Sequence, residues 1–266
     1  MTINDTAFTL YPGRTPLLIS LPHVGTELPA ELAARMADRA QAVEDTDWHL
    51  EPLYRFALAM GAGLLVPRYS RYVVDLNRPA QNTPMYPGQN NTGLCPERFF
   101  TGEPLYLPGQ EPDATEVAQR VASIWRPYHQ VLDGELQGLR RHFGHAVLFD
   151  AHSIKSELPW LFEGRLWDLN LGTVDGDSCA PALQHAVATL LQGQTRYSQV
   201  VNRRFKGGPI TRSYGQPERG VHALQLEMCW RCYMEEDPPY AWHPARAAEV
   251  QPLLRQLVQA MIDWRP

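Results

Sequence analysis

Two runs constrain this chain more than any other feature: "HAVLFDAHS" (His145 to Ser153) and "VHALQLEMCW" (Val221 to Trp230). Both are strand-like, and the second is apolar on both of its faces. A strand of that kind has to be covered on both sides, so the sheet that contains it lies between two layers. Further apolar or β-branched runs occur at "TPLLISLPH", "GLLVP", "SRYVVDL" and "YSQVVNRR". Helical spacing lies between them: in a segment beginning near Asp47 and carrying Leu50, Leu53, Tyr54, Ala57 and Leu58, and over residues 113–143, 180–192 and 241–263, with Pro127 expected to kink the first of these three. Strands alternating with helices predict an α/β fold, a mixed central sheet flanked by helices.

With 266 residues, 44% of them hydrophobic, the chain can bury a large core. Neither an internal repeat nor a low-complexity linker marks a boundary, so a single domain over residues 1–266 is expected. A formal net charge of -5 with mixed signs provides no basic face for nucleic acid and no cationic block for an anionic membrane. No apolar run approaches the roughly 20 residues of a membrane helix, and "MTINDTAFTL" lacks the pattern of a signal peptide. Small molecules are the expected partners and the cytoplasm the expected compartment; oligomeric state is not written in the sequence. The four cysteines fit a reducing environment, and the C-x-x-C of Cys229 and Cys232 has no second pair to complete a zinc site, so ordinary core thiols are expected.

The segment from Arg78 to Pro112 is dense in Pro, Gly and Asn and has neither periodicity. A loop this long in a compact domain is usually functional, and the embedded Tyr86, Leu94, Phe99, Phe100 and Tyr106 favour an ordered wall or lid over a site at about 78–112.

Ligands of α/β sheets collect beyond the carboxyl ends of the strands. The polar residues there are His23 after "LLISLP", Asn77 and Arg78 after "YVVDL", Asp150 and His152 after "AVLF", and Glu227 within "ALQLEMCW"; "EDTDWH" (Glu44 to His49) falls where a helix should begin. Singly, each has an ordinary reading: a hydrogen-bonded turn histidine, a helix N-cap at Asp45 to Asp47, a turn at Asn77-Arg78. Jointly, two histidines, clustered carboxylates, a separate glutamate and an arginine are the parts of a catalytic zinc site, in which three protein donors leave a fourth position for water and a non-ligating glutamate moves its proton. Asp150 can either orient His152 from behind or reach the metal itself. No G-x-S-x-G elbow is present for serine hydrolysis, and "GAG" at Gly61 to Gly63 follows a helix and precedes a strand, the wrong order for a dinucleotide loop.

The ordered set "SLPHVGTELP", "EDTDWHLEPLY", "SRYVVDLNRP", "FDAHS", "NRRFKGGPITRSYG" and "HALQLEMCW" resembles the N-formylglutamate amidohydrolase family of histidine degradation, from about residue 15 to 235. That family is similar in fold to zinc carboxypeptidases and aspartoacylase-type deacylases. The resemblance implies one divalent metal ion, with zinc expected, held by His23, His152 and a carboxylate of "EDTD". The H-x-x-E of carboxypeptidases has Thr26 in its acidic position here, with Glu27 one residue late, which moves the third ligand to Asp47, with Asp45 and Glu44 as rivals. It also implies Glu227 as general base and Arg71, Asn77 and Arg78 as carboxylate binders, with Arg212 a further anion contact. The substrate implied is N-formyl-L-glutamate, whose two carboxylates need cationic partners, which arginine supplies bidentately. The alternatives are a deacylase for another N-acyl amino acid or a short peptide, and a metal-free binding protein on the same fold.

Overall fold

Parallel sheets are covered on both faces by other layers, and the two long strand-like runs pair with each other inside such a sheet. The computed structural model describes residues 3–4, 7–83 and 90–266. Its eight strands are β1 (Ile3–Asn4), β2 (Phe8–Tyr11), β3 (Leu17–Ser20), β4 (Gly63–Pro67), β5 (Ala146–Ile154), β6 (Leu169–Gly172), β7 (Gln199–Val201) and β8 (Val221–Cys229), in spatial order β1-β2-β4-β3-β5-β8-β6-β7. β4, β3, β5 and β8 form a parallel block, β2 and β6 flank it antiparallel, and β7 runs parallel to β6. β5 and β8 stay in register from Ala146↔Val221 to Ile154↔Cys229, and every residue of both is buried. The sheet is mixed and helix-flanked, as expected.

The helices are α1 (Ala30–Ala33), α2 (Leu50–Tyr54), α3 (Phe56–Ala59), α4 (Ala114–Arg120), α5 (Arg126–Phe143), α6 (Pro181–Gln192), α7 (Pro209–Tyr214) and α8 (Pro244–Asp263). Alternate strand residues sort into two cores. Leu17, Ile19, Val147, Phe149, Leu224 and Leu226 pack with Leu183 and Val187 of α6 and Val250 and Leu254 of α8. Leu18, Ala146, Leu148 and Ala223 pack with Tyr128, Leu132 and Leu136 of α5. Side chains alternate between the two faces of a strand, and here each set meets its own helical layer.

Three local expectations are corrected. "SRYVVDL" is not a strand: Ser70 to Leu76 is a chain of turns, closed by the Val73 N–H on Ser70 O (2.9 Å) and the Asp75 N–H on Leu94 O (2.6 Å). Its β-branched residues, Val73 and Val74, are buried in the core cluster on the α5 side of the sheet without joining a ladder. The helix expected near Asp47 begins at Leu50, after a left-handed His49 (φ 61°), and breaks at Arg55; no side chain caps it, so Asp45 to Asp47 are not an N-cap. The kink expected at Pro127 is taken up just before it by a π-helical turn, Val121–Trp125, in which the Arg126 N–H reaches back five residues to Val121 O. Proline lacks an N–H and crowds the preceding turn, and a widened turn relieves both problems. β1, β2 and β6 were not anticipated.

Of the long loop, residues 78–83 and 90–112 are described, and Tyr86 lies outside them. Leu94, Phe99, Phe100 and Tyr106 are buried.

Candidate metal-binding and hydrolytic site

Toward the carboxyl ends of the parallel block, one sheet face changes character. It is apolar at Leu18, Leu148 and Ala223 and becomes polar at Ser20, Asp150, His152, Gln225 and Glu227, all of them buried. β5 continues to Ile154, so Asp150 and His152, two residues apart, share this face. The register sets Asp150 beside Gln225 and His152 beside Glu227 on β8. His23 arrives from the turn after β3, and the Asp47 N–H bonds to His23 O (3.0 Å), tying the "EDTDW" loop against that turn.

His23, Asp47 and His152 converge, with one donor atom of each within 4.8 Å of the others. The Nδ1 atoms of the two histidines are 3.2 Å apart, and Asp47 Oδ2 lies 3.3 Å from His152 Nδ1 and 3.7 Å from His23 Nδ1. Each ring has a carboxylate behind it. The His23 Nε2–H donates to Asp75 Oδ1 at 2.7 Å, and His152 Nε2 faces Asp150 Oδ2 at 3.0 Å. A proton held at Nε2 leaves the Nδ1 lone pair directed inward, which is the arrangement that carboxylate–histidine pairs impose on metal ligands. Three electron-pair donors meeting in a buried space require positive charge between them, either a proton or a cation. Burial works against charge on Asp47, yet hydrogen bonds from His152 and His23 outweigh it and hold the carboxyl below its ordinary range. Burial likewise opposes protonation of His152, but Asp150 outweighs it and raises the ring above its ordinary value. A cation at this point would compete with that proton.

Asp150 therefore sits behind His152, where it also accepts from Ser20 Oγ and Thr211 Oγ1, both at 3.3 Å. The other carboxylates of the "EDTD" segment lie elsewhere. Asp45 Oδ2 accepts from Tyr72 Oη (2.9 Å) and from the Phe100 N–H (3.0 Å), so it anchors the long loop, and burial raises its carboxyl to about 7. Glu44 pairs with Arg39.

A cleft opens over the cluster; Arg71, Asn77, Arg78 and Glu227 line it, as do Asn90 to Thr92 and Phe100 of the long loop. Glu227 makes no side-chain hydrogen bond to another described residue, and burial lifts its carboxyl to about 8. Arg71 donates to Asp75 Oδ2 (2.6 Å) and to His23 Nδ1 (3.3 Å), stacks on Phe100 with 4.5 Å to the ring centroid, and keeps a buried Nε with no partner among the described residues. Arg78 holds the loop: Nε donates to Thr92 O (2.9 Å), one terminal nitrogen to Asn77 O (2.9 Å) and the other to Thr92 Oγ1 (3.1 Å). Asn77 Nδ2 lies 3.0 Å from His152 Nε2, and Asn77 Oδ1 accepts from the Ile210 N–H at 2.9 Å. The "KGG" turn permits this approach, because a Cβ on Gly208 would come within 2.4 Å of Asn77 Nδ2 and Gly207 has φ +121°.

Arg212 does not join this group. It is exposed on α7, its Nε donates to Gly207 O (2.9 Å), and the cleft is lined instead by Arg204, eight residues earlier in the same motif. Two residues of the site were not anticipated, Arg204 and Asp75. An acid inside an otherwise apolar run, two residues before Asn77, was the available signal for Asp75; for Arg204 there was only a choice among neighbouring arginines. The two C-x-x-C thiols are reduced core groups, with Cys229 donating to Trp167 O at 3.1 Å, and burial raises both.

Fold and site together define an α/β protein with three buried donors placed as a metal site would need them at its parallel strand ends, and a buried glutamate beside them. A model of the N-formylglutamate amidohydrolase family matches residues 15–234, and the chain belongs to this family. It is 46% identical over 260 residues to the N-formylglutamate deformylase of Pseudomonas aeruginosa and 45% identical over 260 residues to that of Pseudomonas putida, covering 98% of this chain and 97% of each relative. The crystal structure of N-formylglutamate amidohydrolase from Ralstonia eutropha superposes with a TM-score of 0.80 at 25% identity, over 97% of this chain and 96% of that one.

Proposed function

We propose that this chain hydrolyses the formamide of N-formyl-L-glutamate to formate and L-glutamate, with one divalent cation held by His23, Asp47 and His152. The observation that carries the reading is the convergence of these donors beside Glu227 in an arginine-lined cleft, in a chain of this family. Two imidazole nitrogens and a carboxylate oxygen suit zinc and leave its fourth position open. When bound there, such an ion lowers the pKa of a water and polarises the formyl carbonyl. Glu227 accepts the proton of the attacking water as its oxygen bonds to the formyl carbon, and returns it to the amine nitrogen as the C–N bond breaks. Positive charge nearby favours the carboxylate form of Glu227 that this role needs, against the upward push of burial. Arg71 stands at the reacting centre, while Asn77, Arg78 and Arg204 are polar lining residues of the cleft that can meet two substrate carboxylates. Four free cysteines fit a reducing cytoplasm, and the reaction fits a step of histidine degradation.

Formate release from N-formyl-L-glutamate, compared with N-acetylglutamate and N-acetylaspartate and with and without chelator, tests the reading. Chelator-sensitive deformylation is expected to dominate; faster release of acetate, or full activity after the metal is removed, would overturn it. Asp75→Asn should weaken metal affinity about 10- to 100-fold, the usual effect of losing the partner behind a metal-bound histidine. Competition titration with a chromogenic chelator measures this, and an unaltered affinity would remove Asp75 from the site.

A further inference from the structure

The segment Val73 to Arg78, which carries Asp75, Asn77 and Arg78, is a run of turns with no sheet to hold it. Its outer side is met by three side chains of the α4–α5 helical arm. Arg120 donates to Val73 O (2.9 Å), His129 Nε2–H to Leu76 O (2.9 Å) and Trp125 Nε1–H to Arg78 O (2.9 Å). The last two carbonyls bracket Asn77. The His129 ring lies between Trp125 (centroids 3.8 Å apart, 26° between planes) and Tyr214 (5.9 Å, 11°), and its Nδ1 faces Tyr214 Oη at 2.9 Å. None of the three donors lines the cleft.

The π-helical turn Val121–Trp125 makes this row possible. At about 100° per residue, an unbroken α-helix would put residues 125 and 129 about 140° and 180° round from residue 120, on another face. A turn that absorbs one extra residue brings them to about 40° and 80°, on the same side.

We propose that Arg120, Trp125 and His129 are positioning residues: the π turn aligns them into a clamp that fixes Asn77 and Arg78 in the cleft from behind. The clamp acts on geometry, through main-chain carbonyls, and has no part in the proton transfers.

Trp125→Phe keeps a ring stacked on His129 and removes only the N–H. The kinetic arm of the test rests on the hydrolase reading above. KM for N-formylglutamate should rise about five-fold, the scale of one net hydrogen bond, with kcat within about two-fold of wild type and metal content unchanged. The rise should vanish when Trp125→Phe is combined with Arg78→Ala, because a residue acting through Arg78 is not additive with it. An equal rise in both backgrounds, or no rise, overturns the proposal. A second arm needs no substrate: amide hydrogen exchange at Arg78, whose N–H bonds to Asp75 O (3.2 Å), should quicken about five-fold in the variant while Val147 in β5 is unaffected. Unchanged exchange at Arg78 overturns the clamp even in an active enzyme. Faster exchange in a protein that does not deformylate N-formylglutamate upholds the clamp and rejects the substrate.

Discussion

His152→Ala and His23→Gln are each expected to yield protein without bound divalent metal and with formate release reduced by about 10³-fold or more. A bound cation supplies several kcal/mol of transition-state stabilisation, and each 1.36 kcal/mol is a factor of ten. The two substitutions differ in what they leave behind. His152→Ala strips the partner from Asp150, which is fully buried, and an uncompensated buried charge costs about 3–5 kcal/mol, so this variant should also melt at a lower temperature. His23→Gln can retain an N–H toward Asp75 and should keep more of the stability while still losing the ion. Asp45→Ala is the contrasting case. Its carboxylate holds Tyr72 and the Phe100 N–H rather than the histidines, so metal content should stay at the wild-type level while the covering loop loosens. Elemental analysis of the folded fractions decides the assignment: wild-type metal in either histidine variant, or metal lost from Asp45→Ala but not from Asp47→Ala, would reject it.

Much of this architecture was legible because burial leaves a compositional trace. β5 and β8 are buried along their whole length and mostly apolar, and the charged or metal-binding types near their carboxyl ends, Asp150, His152 and Glu227, stood out for that reason. The same reasoning misled at "SRYVVDL". β-branched residues report burial, not pairing, and here Val73 and Val74 are buried in the core while their backbone forms turns and the Val73 carbonyl accepts from Arg120 of the α4–α5 arm. Taking that run as a strand hid Asp75, whose place behind His23 depends on a turn that no periodicity encodes. The choice between Arg204 and Arg212 depends on which way side chains leave α7 and the loop before it, information that composition lacks. The π turn is also silent in sequence: Pro127 announces a disturbance in the helix, not the form that the backbone takes to absorb it.

Glu227→Gln is expected to lower turnover by about 10²-fold or more, while metal content and melting temperature stay close to wild type. Compared as metal-free proteins, the two should melt at similar temperatures, because burial raises the Glu227 carboxyl to about 8, which favours the uncharged acid, and glutamine is uncharged and nearly the same size. The chemistry should suffer because an amide can neither accept the proton of the attacking water nor return it to the leaving nitrogen. The pH profile separates this role from simple packing. A general base must be ionised, so wild-type kcat/KM should fall as pH drops through its pKa, and a cation beside it draws that pKa below 8, giving an acidic limb in the neutral-to-acid range. The residual activity of Glu227→Gln, measured where the metal stays bound, should lack that limb. Near-normal turnover in the variant, or an acidic limb that persists unchanged, would assign the proton transfer to another group.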